Sequence, residues 1–352
     1  MNKNEFLGYI GTYTKGTSEG IYRFVLDAKS AIIKDIKGVA NVGSPTYLAI
    51  SYDNQYLYSV AKTDQSGGIA AFSIHSETKN LDVINMQLLE GASPCHLNIN
   101  QENGTVVAAN YHKGTVESYV VNHEVGSINS AVSIVQHSGS GPNKERQEKP
   151  HTHYAGFTPD QKYVIAIDLG IDKLITYREN SGKLTEVHSL SVNPESGPRN
   201  LVFHPNGKFT YVMTELSSEV IVLTYDVEDG SFKELQYVST LPKEYEGNNY
   251  GSAIHISSDG RFLYAANRGH NSIAVFRVNQ DSGELILIEA VPTEGDWPRD
   301  FALDPTEKFI VVSNEKSSNL VLFSRNEFTG QLILLQSDVI VPGPVCVKFL
   351  HD

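Results

Sequence analysis

The sequence predicts an all-β fold: a seven-bladed β-propeller, four antiparallel strands per blade, made by residues 1–352 as a single domain. Three observations carry this. Similar segments recur at a spacing of roughly 50 residues, in the range of propeller and solenoid repeats. Each repeat reads as four short strands set apart by turn residues. No helical periodicity runs over a useful length.

The repeats align on their first turn. SPTYLAISYDNQYLYSVAK begins at Ser44, SPCHLNINQENGTVVAANY at Ser93 and THYAGFTPDQKYVIAIDL at Thr152. GPRNLVFHPNGKFTYVMTE follows from Gly197, YGSAIHISSDGRFLYAANR from Tyr250 and WPRDFALDPTEKFIVVSNE from Trp297. Each opens with an apolar-alternating run, turns at residues such as Asp53-Asn54 or Ser258-Asp259-Gly260, and enters a second β-rich run. A polar loop and a third strand come next (GIAAFSI, TVESYVV, VIVLTYD, SIAVFRV). A turn then supplies the Gly or Asn that tight hairpins need for positive φ, and a fourth strand closes the unit.

Six complete repeats span residues 44–341. Residues 6–40 offer three strands and lack a first one, which the C-terminal PGPVCVKFL matches. The two ends are therefore predicted to share the seventh blade, closing the ring and removing edges open to aggregation.

Composition bounds the function. The apolar share of 40% and charged share of 20% fit a globular chain. The net charge of −13 argues against nucleic-acid or anionic-membrane binding, which needs a basic footprint. An anionic ligand would need positive charge gathered locally against that field. Two cysteines, Cys95 and Cys346, are too few for a disulfide framework or a four-thiolate zinc site. No apolar run is long enough for a signal peptide or a membrane span, so a cytoplasmic location is expected.

Propeller geometry then sorts the polar residues. The loops entering each blade share a face with the loops between second and third strands, and the repetitive tight turns lie on the other face. Just before the first strands stand Thr46, Cys95, His153, Arg199, Ser252, Arg299 and Val345. Seven residues past the first turn stand Lys62, Tyr111, Leu169, Glu215, Arg268 and Glu315, with Asn110, Asp168 and Asn267 among those one step earlier. Both series converge on the central channel. His151, His153, Arg199, Glu215 and Arg268 are the candidate catalytic set, and Arg299, Asn267, Asn110, Lys62 and Asp168 the candidate substrate-binding set. The blander readings are an Arg199–Glu215 structural ion pair and two polar loop histidines. His-x-His resembles a metal pair, but spacing supplies no third ligand, so no metal and no cofactor is expected. Two insertions, SGSGPNKERQEKP from Ser138 and PKEYEGNNY from Pro242, reach the same face, and the first is a candidate lid over an anion.

YIGTYT, PHTHYAGFTPD, GPRNLVFHPNGKFTYVMTEL, SAIHISSDGRFLYAANRGHNSIAVF and WPRDFALDP together resemble the seven-bladed propeller lactonases. That family includes bacterial 6-phosphogluconolactonases and is related to fungal 3-carboxymuconate lactonizing enzymes. The resemblance covers essentially the whole chain. It implies a site of one His, two Arg and a Glu, carried here onto His151 or His153, Arg199, Glu215 and Arg268. It also implies hydrolysis of a small anionic sugar lactone, 6-phospho-D-glucono-1,5-lactone, in the pentose phosphate pathway. The alternatives are a muconate-type lactonizing cycloisomerase and a non-enzymatic interaction propeller. Against the last, recurrent WD dipeptides are missing and Trp297 is the one tryptophan. No GxSxG elbow surrounds a serine, so no acyl-enzyme is expected.

Overall fold

The computed structural model describes residues 4–351. Among them, 28 strands, β1–β28 in chain order, form seven four-stranded antiparallel sheets. Blade 1 is the composite one. β28 (Pro344–Phe349) pairs antiparallel with β1 (Glu5–Thr12), which pairs with β2 (Gly20–Asp27), followed by β3 (Ile32–Asn41). The C-terminal segment is thus the missing first strand, as its likeness to the other first strands predicts. Blades 2 to 7 each take four consecutive strands, opening with β4 (Leu48–Ile50), β8 (His96–Ile99), β12 (Thr152–Phe157), β16 (Pro198–Phe203), β20 (Tyr250–Ile256) and β24 (Pro298–Leu303). These first strands and β28 contact one another around a closed ring. The helical content of the described residues is one 3-10 turn, Leu169–Ile171.

The core lies between blades. Seven buried apolar clusters occur, one at each blade-to-blade interface. The cluster joining blades 5 and 6, for example, sets Tyr211, Met213 and Val222 against Leu263, Ala265 and Phe276. Both faces of each blade are therefore apolar, which is why the second strands read as near-continuous hydrophobic runs. Second-strand tyrosines also tie several blades to the next. The hydroxyls of Tyr58, Tyr211 and Tyr264 donate to the hairpin carbonyls of Gly126, Gly283 and Gly330, at 3.2, 3.0 and 2.9 Å.

One irregularity positions the site. In blades 4, 5, 7 and 1 the first strand carries an extra residue near its start. The register jumps from Thr152 to Tyr154, from Pro198 to Asn200, from Pro298 to Asp300 and from Cys346 to Pro344. The residues left unpaired are His153, Arg199, Arg299 and Val345. Blade 6 has the same extra residue between Gly251 and Ile254, around Ser252. The sequence places these residues just before the strands; the structure puts them inside, as bulges. A bulge bends the strand and re-aims a side chain that regular pairing would send into the blade.

Candidate active site

The bulged residues and the ends of the second strands enclose a cavity of about 430 Å³ at the channel mouth. His153, Glu215, Arg268 and Arg299 line it, and so do Lys62, Tyr111, Tyr13, Lys15, Cys95 and Arg146. Five cationic side chains against one carboxylate leave a local excess of four positive charges in a chain of net charge −13. Beneath it a chamber of about 30 Å³, enough for one water, is lined by His153, Arg199, Arg299, Asn200, Asp300 and His96 among others.

Glu215 is the hub. Its Oε2 accepts from Arg199 Nε at 3.0 Å and lies 2.8 Å from Arg268 Nη2, while its Oε1 meets Arg146 Nη2. Burial alone raises the carboxyl pKa, but Arg268, Arg199, His153 and Arg146 together hold it well below the usual carboxylate range. Arg199 also donates to Ser252 O at 2.7 Å, and its guanidinium is pushed down to about 9 by burial and by Arg268, still charged at neutral pH. Arg268 donates to Gly251 O at 2.7 Å and lies over the Trp297 ring, 5.5 Å from its centroid. A Cβ at Gly251 would collide with the Thr214 carbonyl oxygen, so that approach needs glycine. Arg299 faces Glu315 at 3.4 Å and the Tyr13 ring at 5.3 Å.

His153 is 6% exposed, and its Nδ1 is buried without a hydrogen-bond partner among the described residues. Burial, and Arg199 after it, push its pKa well below the usual histidine value, so the ring is neutral at neutral pH. A neutral, unpartnered imidazole beside four guanidinium groups and one ionised carboxylate is a proton acceptor next to an anion receptor. The Cys95 thiol borders the same cavity, but burial pushes it up to about 11, so it is not a thiolate nucleophile.

The family model of the seven-bladed β-propeller lactonases matches residues 7–349. The chain belongs to the seven-bladed β-propeller lactonase family. Bacillus subtilis 6-phosphogluconolactonase is 55% identical over 347 residues, 99% of each chain. Among solved structures, a Lactobacillus plantarum protein superposes with a TM-score of 0.94 at 42% identity, covering 99% of this chain and 100% of that one. The Pseudomonas aeruginosa periplasmic gluconolactonase gives 0.92 at 30% identity, with 99% of each chain covered. Two sugar lactonases of unlike name thus share this scaffold.

Of the ten candidate residues, His153, Arg199, Glu215, Arg268, Arg299 and Lys62 line the cavity or the chamber beneath it. His151, Asn110, Asp168 and Asn267 do not. The His151 ring stacks on Tyr111 at 4.3 Å, with Nδ1 3.0 Å from Tyr111 O and Nε2 beside Glu148. Asn110 donates to Ala92 O at 2.8 Å and accepts from Lys113 N, holding a loop. Asp168 is fully buried between His137 Nδ1 at 2.6 Å and the backbone N–H groups of His151 and Gly170. Asn267 is bonded to Thr240, Asn249 and Ser272. All four brace the loops that present their neighbours. The alternation of a strand explains it: Asn110 and Tyr111, or Asn267 and Arg268, point opposite ways, so one of each pair faces the channel.

Sequence reasoning did not single out Arg146, Tyr13 or Lys15. Arg146 lies in the candidate lid, Ser138 to Pro150, and its guanidinium also lies 5.6 Å from the Tyr250 ring centroid and 3.5 Å from Tyr111 Oη. The insertion is longer than any other loop entering a blade, so positional comparison aligns no residue with Arg146.

Proposed function

We propose that the chain hydrolyses 6-phospho-D-glucono-1,5-lactone to 6-phospho-D-gluconate, with His153 as general base. The observation that carries it is the cationic cavity with neutral, unpartnered His153 in its wall. The 55% identity to the Bacillus subtilis enzyme supports the same substrate.

A water in the chamber below attacks C1 of the lactone while His153 takes its proton. Negative charge gathers on the carbonyl oxygen, where guanidinium N–H groups are preorganised to receive it. Arg268 suits that role because its buried Nε has no partner among the described residues. Collapse of the tetrahedral intermediate breaks the bond between C1 and the ring oxygen, and the proton on His153 passes to that oxygen. The product carboxyl then ionises and releases one proton. Glu215 is not the base: both its oxygens are held by arginines, and so low a pKa makes it a poor acceptor. It fixes three guanidinium groups in place. The two free thiols, Cys95 and Cys346, suit a reducing cytoplasm.

The test is formation of 6-phosphogluconate by the purified protein, against spontaneous opening of the lactone. Acceleration well above that baseline is expected. A rate equal to the baseline removes the lactonase reading.

A further inference from the structure

The charges of the cavity fall into two groups. On the side built by blades 4 to 7, every cationic group has a carboxylate: Arg199 and Arg268 share Glu215, and Arg299 faces Glu315. Arg146, from the insertion, also engages Glu215. Lys15 and Lys62 line the same cavity, are exposed, and take part in no ion pair among the described residues. They are its cations without a carboxylate partner among the described residues.

The two lysines come from adjacent blades and are held together by backbone. Lys15 follows β1 of blade 1, and Lys62 ends the second strand of blade 2. The Ser44 N–H donates to Thr14 Oγ1 at 3.0 Å, and the Thr14 and Ser44 hydroxyls are 3.3 Å apart. One residue earlier, Gly43 O accepts from the Lys62 N–H at 2.8 Å. The Lys15 loop, the Ser44 loop and the end of the Lys62 strand therefore form one arc of the rim. Ser44 and Thr46 also line the cavity on this arc. Around the ring it lies opposite blades 4 to 6, which supply His153, Glu215 and Arg268.

We infer that this arc, Lys15 and Lys62 with Ser44 and Thr46, is the subsite for the phosphate of a phosphorylated sugar lactone, and sets the preference over the unphosphorylated one. The inference rests on the lactonase reading above. A phosphomonoester brings close to two negative charges and three acceptor oxygens. Two ammonium point charges and adjacent donors suit such a group. The protein's net charge of −13 repels a dianion, so capture is best served by cations whose donors are not already held by a carboxylate. In the sugar acid the phosphate sits at the end of the carbon chain remote from the lactone carbonyl. Holding phosphate on blades 1 and 2 then presents C1 to His153 and Arg268 across the cavity.

The test compares kcat/KM for 6-phosphogluconolactone and for glucono-1,5-lactone in the wild type, Lys15→Met, Lys62→Met and the double variant. Each single change is expected to lower the ratio of the two kcat/KM values by about 10-fold, the scale of one charge-assisted hydrogen bond, chiefly through KM. In the double variant the ratio should fall towards one. Inorganic phosphate, measured by calorimetry, should bind the wild type more tightly than the double variant. An unchanged ratio, an equal loss on both lactones, or equal phosphate binding overturns the subsite and leaves the lactonase reading standing. A wild type that opens neither lactone overturns the lactonase reading, and phosphate binding then judges the subsite alone.

Discussion

On the blade 4 to 7 side of the cavity the functional groups are buried and interlocked, with Arg199 3%, Glu215 5% and Arg268 5% exposed, and bulges aim His153, Arg199 and Arg299. On the blade 1 to 2 side, Lys15 and Lys62 are exposed and take part in no ion pair among the described residues. The difference follows from what each side has to do. Stabilising charge that develops in a transition state requires donors already fixed in place, so the protein immobilises guanidinium groups around one carboxylate. Capturing a ligand charge that is present throughout requires only uncompensated cations within reach. Interlocked, buried groups thus lie where the chemistry is proposed, and long exposed side chains where recognition is proposed.

Breaking the hub should have the largest effect. Glu215→Gln leaves three arginines without their shared counter-charge. Stability should fall by about 3–5 kcal/mol in denaturant titration, the cost of stripping one partner from a buried ion pair, and turnover should collapse. A variant of wild-type stability would show that the arginines do not depend on Glu215.

pH probes the buried side next. His153 titrates well below the usual histidine value, so a base at this position stays deprotonated below pH 6.5. The acid limb of kcat/KM should accordingly lie below that of an ordinary histidine, and a limb at or above pH 6.5 would exclude His153. Stability carries its own sign. The unfolded chain protonates this histidine near 6.5 and the folded one does not, so His153 costs stability as pH falls below 6.5. Glu215, with its pKa lowered, contributes stability that is present above the unfolded carboxylate pKa and lost as pH falls through its folded value. Acid unfolding monitored by circular dichroism, compared with His153→Gln and Glu215→Gln, separates the two contributions.

The smallest effect should come from the bracing residues. Asn110→Ala removes bonds to Ala92 O and Lys113 N and should cost about 1–2 kcal/mol of stability, with kcat preserved. A large loss of kcat at unchanged stability would place Asn110 in the chemistry.

Most of the fold was legible because seven repeats restate the same strand and turn pattern, and because the ends supplied three strands and one strand of a single blade. The site was legible in part. Aligning on the first turn brought His153, Arg199 and Arg299 together, since in those blades the bulge preserves the count from the turn. Pro198 and Pro298 directly precede the inward arginines, whereas Pro150 precedes His151, which is why the PHTH motif admits either histidine; the bulge selects His153. Asn110, Asp168 and Asn267 entered the candidate set because two consecutive strand positions were taken together, though a pleated strand sends them to opposite sides. Arg146 stayed hidden because it lies in the longest blade-entry loop, where no residue of another repeat aligns with it.

The most direct measurement is the hydrolysis rate of 6-phosphogluconolactone by His153→Ala beside the wild type, both corrected for spontaneous opening, with melting curves of each. The account predicts a loss of roughly 10²-fold or more in kcat, the scale of a general base, in a variant that remains folded. A folded His153→Ala protein turning over at the wild-type rate would contradict it.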